Sequence, residues 1–336
     1  MQHEILTILG KKLEKIDLDT WKPLTWAYEK NRWFTPINLK LCMQEIIKSL
    51  QKENIEKWVN DYLPKIPKKS KKIGIIMAGN IPAVGWADFL AVLVTGHESH
   101  IKLSSQDEVL IPEIAKILFK IAPELKNKIH FDLRLKNCDA YIATGSDNSA
   151  RYFEQYFGNK PHIIRKNRHS LAIIDGTETK QDFEKLSNDI FTYFGLGCRN
   201  VCKLLVPENY DLKDFFEGIF IQKEIANHYK YFNNYEYQRA VYLVNIIKHF
   251  DNGFVLLREN KQLVAPTGVI YYQSYENKTD LDLYLEEWKD KIQVIVSKDG
   301  TFPNSLPFGT AQTPFLWDYA DNINTLQFLV ESDSWD

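Results

Sequence analysis

Apolar residues recur at helical spacing through residues 1–70, as at Leu39, Met43, Ile46, Ile47 and Leu50, and predict a helical layer. Trp21, Trp26, Trp33 and Trp58 fall in this stretch and read as packing within the layer rather than as a binding surface. A lysine-rich linker at Lys65 to Lys72 leads into a different texture. Short apolar strands at Ile73 to Met77, His100 to Leu103, Ile129 to Leu133, Ala140 to Ala143, His162 to Ile164 and Leu171 to Ile174 are interleaved with helical stretches. Those stretches are Trp86 to Val94, Ile111 to Ile121 and Asn148 to Tyr156. This order predicts a parallel sheet covered by helices, with ligands bound beyond the carboxyl ends of the strands.

Farther along, Phe183, Leu186, Ile190, Tyr193 and Phe194 form an amphipathic stripe that predicts a helix over 183–194, and Leu204 to Val206 opens a strand. Between them Gly195-Leu196-Gly197-Cys198 places a thiol on a glycine-flanked loop. A helix near Leu212 to Ile225, tyrosine-rich sequence from Tyr229 to Tyr242, and strands near Phe254 to Leu257, Val269 to Tyr272 and Ile292 to Val296 read as a second α/β lobe. The tail from Phe302, rich in proline and aromatic residues, predicts ordered loop rather than helix.

Composition narrows the function classes. With 336 residues and 44% hydrophobic content the chain matches globular usage and has room for two lobes. Its 42 basic residues face 44 acidic ones, so no long-range field draws it to nucleic acid or anionic lipid, and small polar substrates are expected. No apolar run approaches the roughly 18 residues of a membrane span. Met1-Gln2-His3-Glu4 lacks the basic start and apolar core of a signal peptide, so a cytoplasmic location is expected. Cys42, Cys138, Cys198 and Cys202 are too scattered for a disulfide framework and read as reduced thiols. No histidine follows Cys198 and Cys202 at zinc-ligand spacing, and no metal is expected. Among the histidines only His169 falls near a suspected site, and a structural or surface role suits it.

Three strand exits carry polar groups. Gly79-Asn80-Ile81-Pro82 turns the chain after the first strand and offers the Asn80 carboxamide. Lys102-Leu103-Ser104-Ser105 gives a cation and two hydroxyls suited to ribose or phosphate oxygens. Thr144-Gly145-Ser146 opens a helix whose free amides attract an anion. Taken singly, each is a capping turn or a solvated lysine. Neither Gly-x-Gly-x-x-Gly nor Gly-x-x-x-x-Gly-Lys is present.

In order, Gly-Asn-x-Pro, Thr95-Gly96, Lys102-x-Ser, Thr-Gly-Ser and Gly-x-x-Cys with Lys203 five residues on resemble the aldehyde dehydrogenase superfamily over Ile73 to Val206. With Phe308-Gly309-Thr310-Ala311-Gln312-Thr313-Pro314, the closer likeness is to the acyl-CoA reductase family of bacterial bioluminescence systems. The resemblance implies an α/β fold with a Rossmann-like parallel-sheet cofactor domain and a smaller α/β catalytic domain. The first would hold residues 1–168 and 307–336, the second residues 169–306. It implies that Cys198 is the acyl-accepting nucleophile, and that Asn80 with the Cys198 amide stabilises the oxyanion. It further implies that Lys102, Ser104 and Ser105 bind the adenosine ribose region, and that Thr144, Gly145 and Ser146 lie toward the pyrophosphate or nicotinamide. A small hydroxyl at Ser105, where NAD-specific relatives commonly carry glutamate, favours NADP, with NAD the alternative.

Two departures from the hydrolytic enzymes matter. The water-activating glutamate position falls near Arg165, so hydride transfer or CoA exchange is favoured over hydrolysis. Pro266-Thr267-Gly268 occupies the region where a glutamate usually grips the nicotinamide ribose. The basic run Arg165 to His169 reads as a solvated face, with a phosphate role for CoA or NADPH as the alternative. Cys202 leads into an apolar strand and reads as buried and inert. The expected activity is NADPH-dependent reduction of an acyl-CoA thioester to an aldehyde, or the reverse. The alternatives are acyl-phosphate reduction and a binding subunit served by an acyl-protein synthetase partner. A homo-oligomer is compatible with the resemblance. The chain is short for the superfamily. Tyr229, Tyr231, Phe232, Tyr235 and Tyr237 read as lobe core or interface before acyl pocket.

Overall fold

Four helices, α1 (Gln2–Leu13), α2 (Lys22–Lys30), α3 (Pro36–Ser49) and α4 (Lys52–Val59), precede the first strand of the computed structural model, which describes residues 2–335. Leu9, Leu13, Leu39, Met43 and Ile55 are fully buried and share one apolar cluster with the sheet that follows. Trp58 is buried, and Trp21 and Trp33 pack partly buried against that cluster. Trp26 departs from expectation at 45% exposure. On α2 the inward face belongs to Leu24 and Ala27, and helical spacing turns Trp26 away from it.

The chain divides into two compact units, Met1–Asn167 with Phe315–Asp336, and Arg168–Pro314. In the first unit, β1 (Lys72–Ile76), α5 (Trp86–Val94), β2 (Glu98–Lys102), α6 (Leu110–Ile121), β3 (Ile129–Phe131), β4 (Ala140–Thr144), α7 (Asp147–Phe157) and β5 (His162–Arg165) alternate. The strands form a five-stranded sheet in the order β3-β2-β1-β4-β5, and every neighbouring pair is parallel. Ile73, Gly74 and Ile75 are buried in succession because helical layers cover both faces. Strand order reverses at β1, so a crevice opens at the carboxyl ends of β1 and β4.

The second unit contains β6 (His169–Ile173), α8 (Lys180–Phe191), β7 (Val201–Pro207), α9 (Lys213–Ile219), α10 (Tyr229–Val244), β8 (Phe250–Asp251), β9 (Leu256–Glu259), β10 (Val269–Tyr275), α11 (Lys278–Trp288), β11 (Ile292–Ser297) and β12 (Ser305–Pro307). Its seven strands run in the order β12-β11-β6-β7-β10-β9-β8, and only the short β8 is antiparallel to its neighbour. Along β7 the two-residue period sends Leu204 and Val206 to the cluster containing Phe183 and Phe215, and Leu205 to the one containing Leu171 and Leu281. The tyrosine-rich stretch is helical. Tyr231 and Tyr235 face inward, while Tyr229, Phe232 and Tyr237 are exposed.

Two elements differ from the sequence expectation. The helix expected over 183–194 ends at Phe191, because Tyr193, Phe194 and Gly195 take left-handed conformations with φ of 53°, 60° and 73°. The tail, expected as loop, forms α12 (Thr325–Val330), started by the Asn324 side chain accepting from the Gln327 amide at 2.9 Å. Its Leu326 and Leu329 complete the first unit's core. Among the described residues, no helix is long and apolar enough to cross a membrane.

Candidate functional site

The crevice of the first unit is a cavity of about 650 Å³. Its walls include Lys102, Ser104 and Ser105 from the β2 exit, Thr144, Gly145 and Ser146 from the β4 exit, and Met77 and Ala78 from the β1 exit. All six residues expected to bind a cofactor therefore meet on one surface. Lys102 and Ser105 are exposed, so the ammonium and a hydroxyl are presented to solvent. Ser146 caps α7, accepting from the Ser149 amide at 3.2 Å, and the cap sets that helix N-terminus at the cavity wall. Glu108 and Asp132 also line the cavity, and both carboxylates are engaged. Glu108 pairs with Lys30 at 3.0 Å, and Asp132 bonds His100 at 2.8 Å.

Asn80 lies exposed on the β1-exit loop. That loop is fixed from three sides. A Cβ at Gly79 would come within 2.6 Å of Ser104 Oγ, so only glycine allows the β1 and β2 exits to approach this closely. Asp107 Oδ2 accepts from the Ala83 amide at 2.7 Å, securing Ala83 at φ 54°. The Cys42 thiol of α3 donates to the Pro82 carbonyl at 3.6 Å. Burial pushes the Asp107 carboxyl up to about 6.

Cys198 belongs to the second unit and is exposed. Its loop is organised by Asn200, a residue that no sequence pattern singles out. The Asn200 amide is buried; Oδ1 accepts from Gly197 N at 2.8 Å, and Nδ2 is directed at the carbonyls of Thr192, Asp189 and Ile190 at 2.8, 3.1 and 3.3 Å. These include carbonyls that the end of α8 leaves without helical partners. Ser170 Oγ on β6 donates to the Cys198 carbonyl at 3.0 Å. Asp189 joins the Phe308 to Pro314 motif to the same region. It is fully buried, and its two oxygens accept from the Gly309 and Ala311 amides at 2.6 and 2.9 Å. Burial pushes its carboxyl up to about 6, against the pull of those amides. Arg199 Nε donates to the Ala311 carbonyl at 2.5 Å and closes the link from the other side.

Cys202 is half-buried rather than fully buried, and its thiol donates to the Leu263 carbonyl at 3.3 Å. Burial pushes it up to about 11, so it stays protonated at neutral pH. Of residues 165–169, read as a solvated face, Lys166 and Asn167 are exposed, whereas Arg165 departs from that reading. Only 4% exposed, it donates to Asp88 Oδ1 at 2.7 Å, Thr325 Oγ1 at 2.8 Å and the Ala320 carbonyl at 2.5 Å. Asp88 is the single charge in the apolar α5, and that isolation is the signal from which a buried partner could have been inferred. Gly268 has φ 84° and sits against the Tyr235 backbone, so the Pro266 to Gly268 turn is fixed by packing.

No protein-family model matches the chain, and no curated protein matches it in sequence. Solved structures do match in shape. Aldehyde dehydrogenase 21 from Physcomitrella patens, in complex with the reaction product succinate, superposes with a TM-score of 0.67 at 12% identity, covering 98% of this chain and 83% of that one. A point mutant of the P. syringae indole-3-acetaldehyde dehydrogenase AldA, in complex with NAD+ and IAA, gives 0.65 at 10% identity, covering 90% and 72%. The Mycobacterium tuberculosis aldehyde dehydrogenase complexed with NAD+ gives 0.60 at 13%, covering 88% and 72%. The chain has the aldehyde dehydrogenase fold.

Proposed function

We propose that this chain reduces an acyl-CoA thioester to an aldehyde with NADPH, or runs the reverse CoA-acylating oxidation, through an acyl thioester on Cys198. The observation that carries the reading is Arg165. Where the resemblance places a water-activating carboxylate in hydrolytic relatives, this chain has an arginine committed to Asp88. An acyl-cysteine lacking that base persists long enough to be reduced or returned to CoA.

Cys198 attacks the thioester carbonyl and expels the CoA thiolate, giving acyl-Cys198. A nicotinamide dinucleotide would sit in this cavity, where Lys102, the Ser104 and Ser105 hydroxyls and the α7 N-terminus would hold ribose and phosphate oxygens. When bound it supplies the hydride. Collapse of the resulting thiohemiacetal releases the aldehyde and restores the Cys198 thiolate. For Asn80 the proposed role is an oxyanion donor during both additions. Preference for the 2′-phosphate is supported by the small hydroxyl of Ser105 and by the engagement of Glu108 with Lys30. A second reading, NADH, is favoured by the two carboxylates on the cavity wall and by the NAD+ bound in the P. syringae and M. tuberculosis proteins.

Intact mass spectrometry after incubation with an acyl-CoA series tests the proposal. The expected result is one acyl adduct, lost in Cys198→Ser and discharged as aldehyde when NADPH is added. Discharge by NADH alone establishes the second cofactor reading. Turnover only with acyl phosphate, or an adduct only when a synthetase partner delivers the acyl group, overturns the choice of acyl-CoA.

A further inference from the structure

On one face of the first unit's sheet edge, Glu98 and His100 stand two residues apart on β2, and His130 of β3 is the direct cross-strand partner of His100. Parallel pairing thus gathers three metal-ligand side chains from distant sequence positions onto one patch. One ligand atom from each of the three lies within 4.8 Å of the others. The imidazoles stack with centroids 4.6 Å apart at 20°. His100 Nδ1 is bonded to Asp132 Oδ2 at 2.8 Å, and His130 Nε2 to the Asn127 carbonyl at 3.2 Å. A neutral imidazole that donates one N–H to a fixed oxygen presents its other nitrogen as a lone pair. For His100 that nitrogen is Nε2. It is buried, it makes no hydrogen bond, and the nearest carboxylate oxygen, Glu98 Oε2, is 3.8 Å away.

We propose that Glu98, His100 and His130 form a site for a divalent transition cation of the zinc class. Two imidazoles and one carboxylate match the borderline-soft preference of Zn²⁺, and three protein ligands leave a fourth position for water. Bonds of roughly 2.0–2.1 Å to nitrogen place tetrahedral ligands about 3.4 Å apart. From a present spread of up to 4.8 Å, binding draws the ligand atoms together and turns the stacked rings toward a common centre. Asp132 holds the His100 tautomer and ring orientation, as carboxylates behind zinc-bound histidines do. The patch is half-buried.

Equilibrium dialysis of the full chain against Zn²⁺, with bound metal counted by mass spectrometry, tests the site. The expected result is one ion per chain, retained in Cys198→Ser and weakened at least tenfold in each of Glu98→Gln, His100→Asn and His130→Gln. Asp132→Asn should weaken binding about 10- to 100-fold without removing a ligand. Co²⁺ substitution should give ligand-field absorption that is lost in the same variants. Circular dichroism checks folding, and if His100→Asn does not fold, Glu98→Gln and His130→Gln decide. Absence of stoichiometric Zn²⁺, binding unchanged in the ligand variants, or binding lost in Cys198→Ser overturns the proposal and leaves the cluster as a histidine–carboxylate network.

Discussion

Asn200 engages its whole carboxamide within the chain around Cys198, and no other side chain type supplies the same acceptor and donors in that volume. Asn200→Ala removes the partner of the Gly197 amide and the Nδ2 donor to the Thr192 and Ile190 carbonyls, while the Asp189 carbonyl keeps Gln312. Since each such group costs roughly 1–3 kcal/mol, the variant should lose about 2–4 kcal/mol of unfolding free energy in a urea titration. A loss below about 0.5 kcal/mol would show that water or a shifted backbone replaces the amide. Cys198 is legible from its neighbours, because glycines beside a cysteine between a helix stripe and a strand signal an accessible loop. Asn200 is not, because an asparagine there reads as a turn residue and its partners appear only when α8 and β7 come together. Arg165 is misread for a similar reason. Its partner Asp88 is remote in sequence, and a run of basic residues looks solvated until the fold buries one of them.

At the scale of elements, alternating strands and helices are legible because buried parallel strands are nearly continuous apolar runs and the helices carry clear stripes. Helix ends are not. The stripe over 183–194 continues through Tyr193 and Phe194, yet both are left-handed, a conformation costing bulky residues about 1–2 kcal/mol each. Stacking of Phe194 on His228 at 4.1 Å and the Asn200 bond to Thr192 offset that cost, and neither is visible as periodicity. Two buried carboxylates fasten loops to elements, Asp107 at the β1 exit and Asp189 at α8, each pushed by burial from 3.8 up to about 6. With the folded value above the unfolded one, their contribution is complete below about pH 4 and declines as pH rises through 6. Each should remove roughly 2–3 kcal/mol over that window. Guanidinium unfolding at pH 4, 5, 6 and 7 should show the decline, and Asp189→Asn should show about half of it. A decline unaltered in that variant would assign it to other groups.

For the whole molecule, the second α/β lobe is read from the helices and strands after Cys198, the change of texture at Ile73 falls within the first unit, and the return of the tail is expected only from the resemblance. The second unit extends to Pro314, and Phe315–Asp336 belongs to the first. The second unit also encloses Lys203 on β7, fully buried, its ammonium donating to the Asn260 carbonyl and lying 5.1 Å over the Tyr284 ring. Burial lowers this lysine from 10.5 to about 7. The unfolded chain then binds more protons than the folded one between about pH 7 and 10.5, so stability rises with pH across that range. The combined contribution of Lys203 and the two carboxylates is therefore least favourable near pH 6–7. Lys203→Met should raise stability at pH 7 and flatten the alkaline rise, as read by thermal unfolding at pH 7, 8 and 9. A rise of unchanged slope would exclude Lys203 as its source.

The uneven exposure of the four thiols makes the protein its own reporter. Cys42 and Cys138 are buried, burial pushes Cys138 and Cys202 up to about 11 and Cys42 further still, and Cys198 alone is exposed. A maleimide dye at neutral pH should therefore attach once per chain, at residue 198, without any cysteine being removed by mutation. The rate of that single labelling reaction then becomes an optical assay for anything occupying the thiol, usable before a substrate is known. Labelling at two or more cysteines in the folded protein would show that the buried thiols open to solvent on the timescale of the experiment.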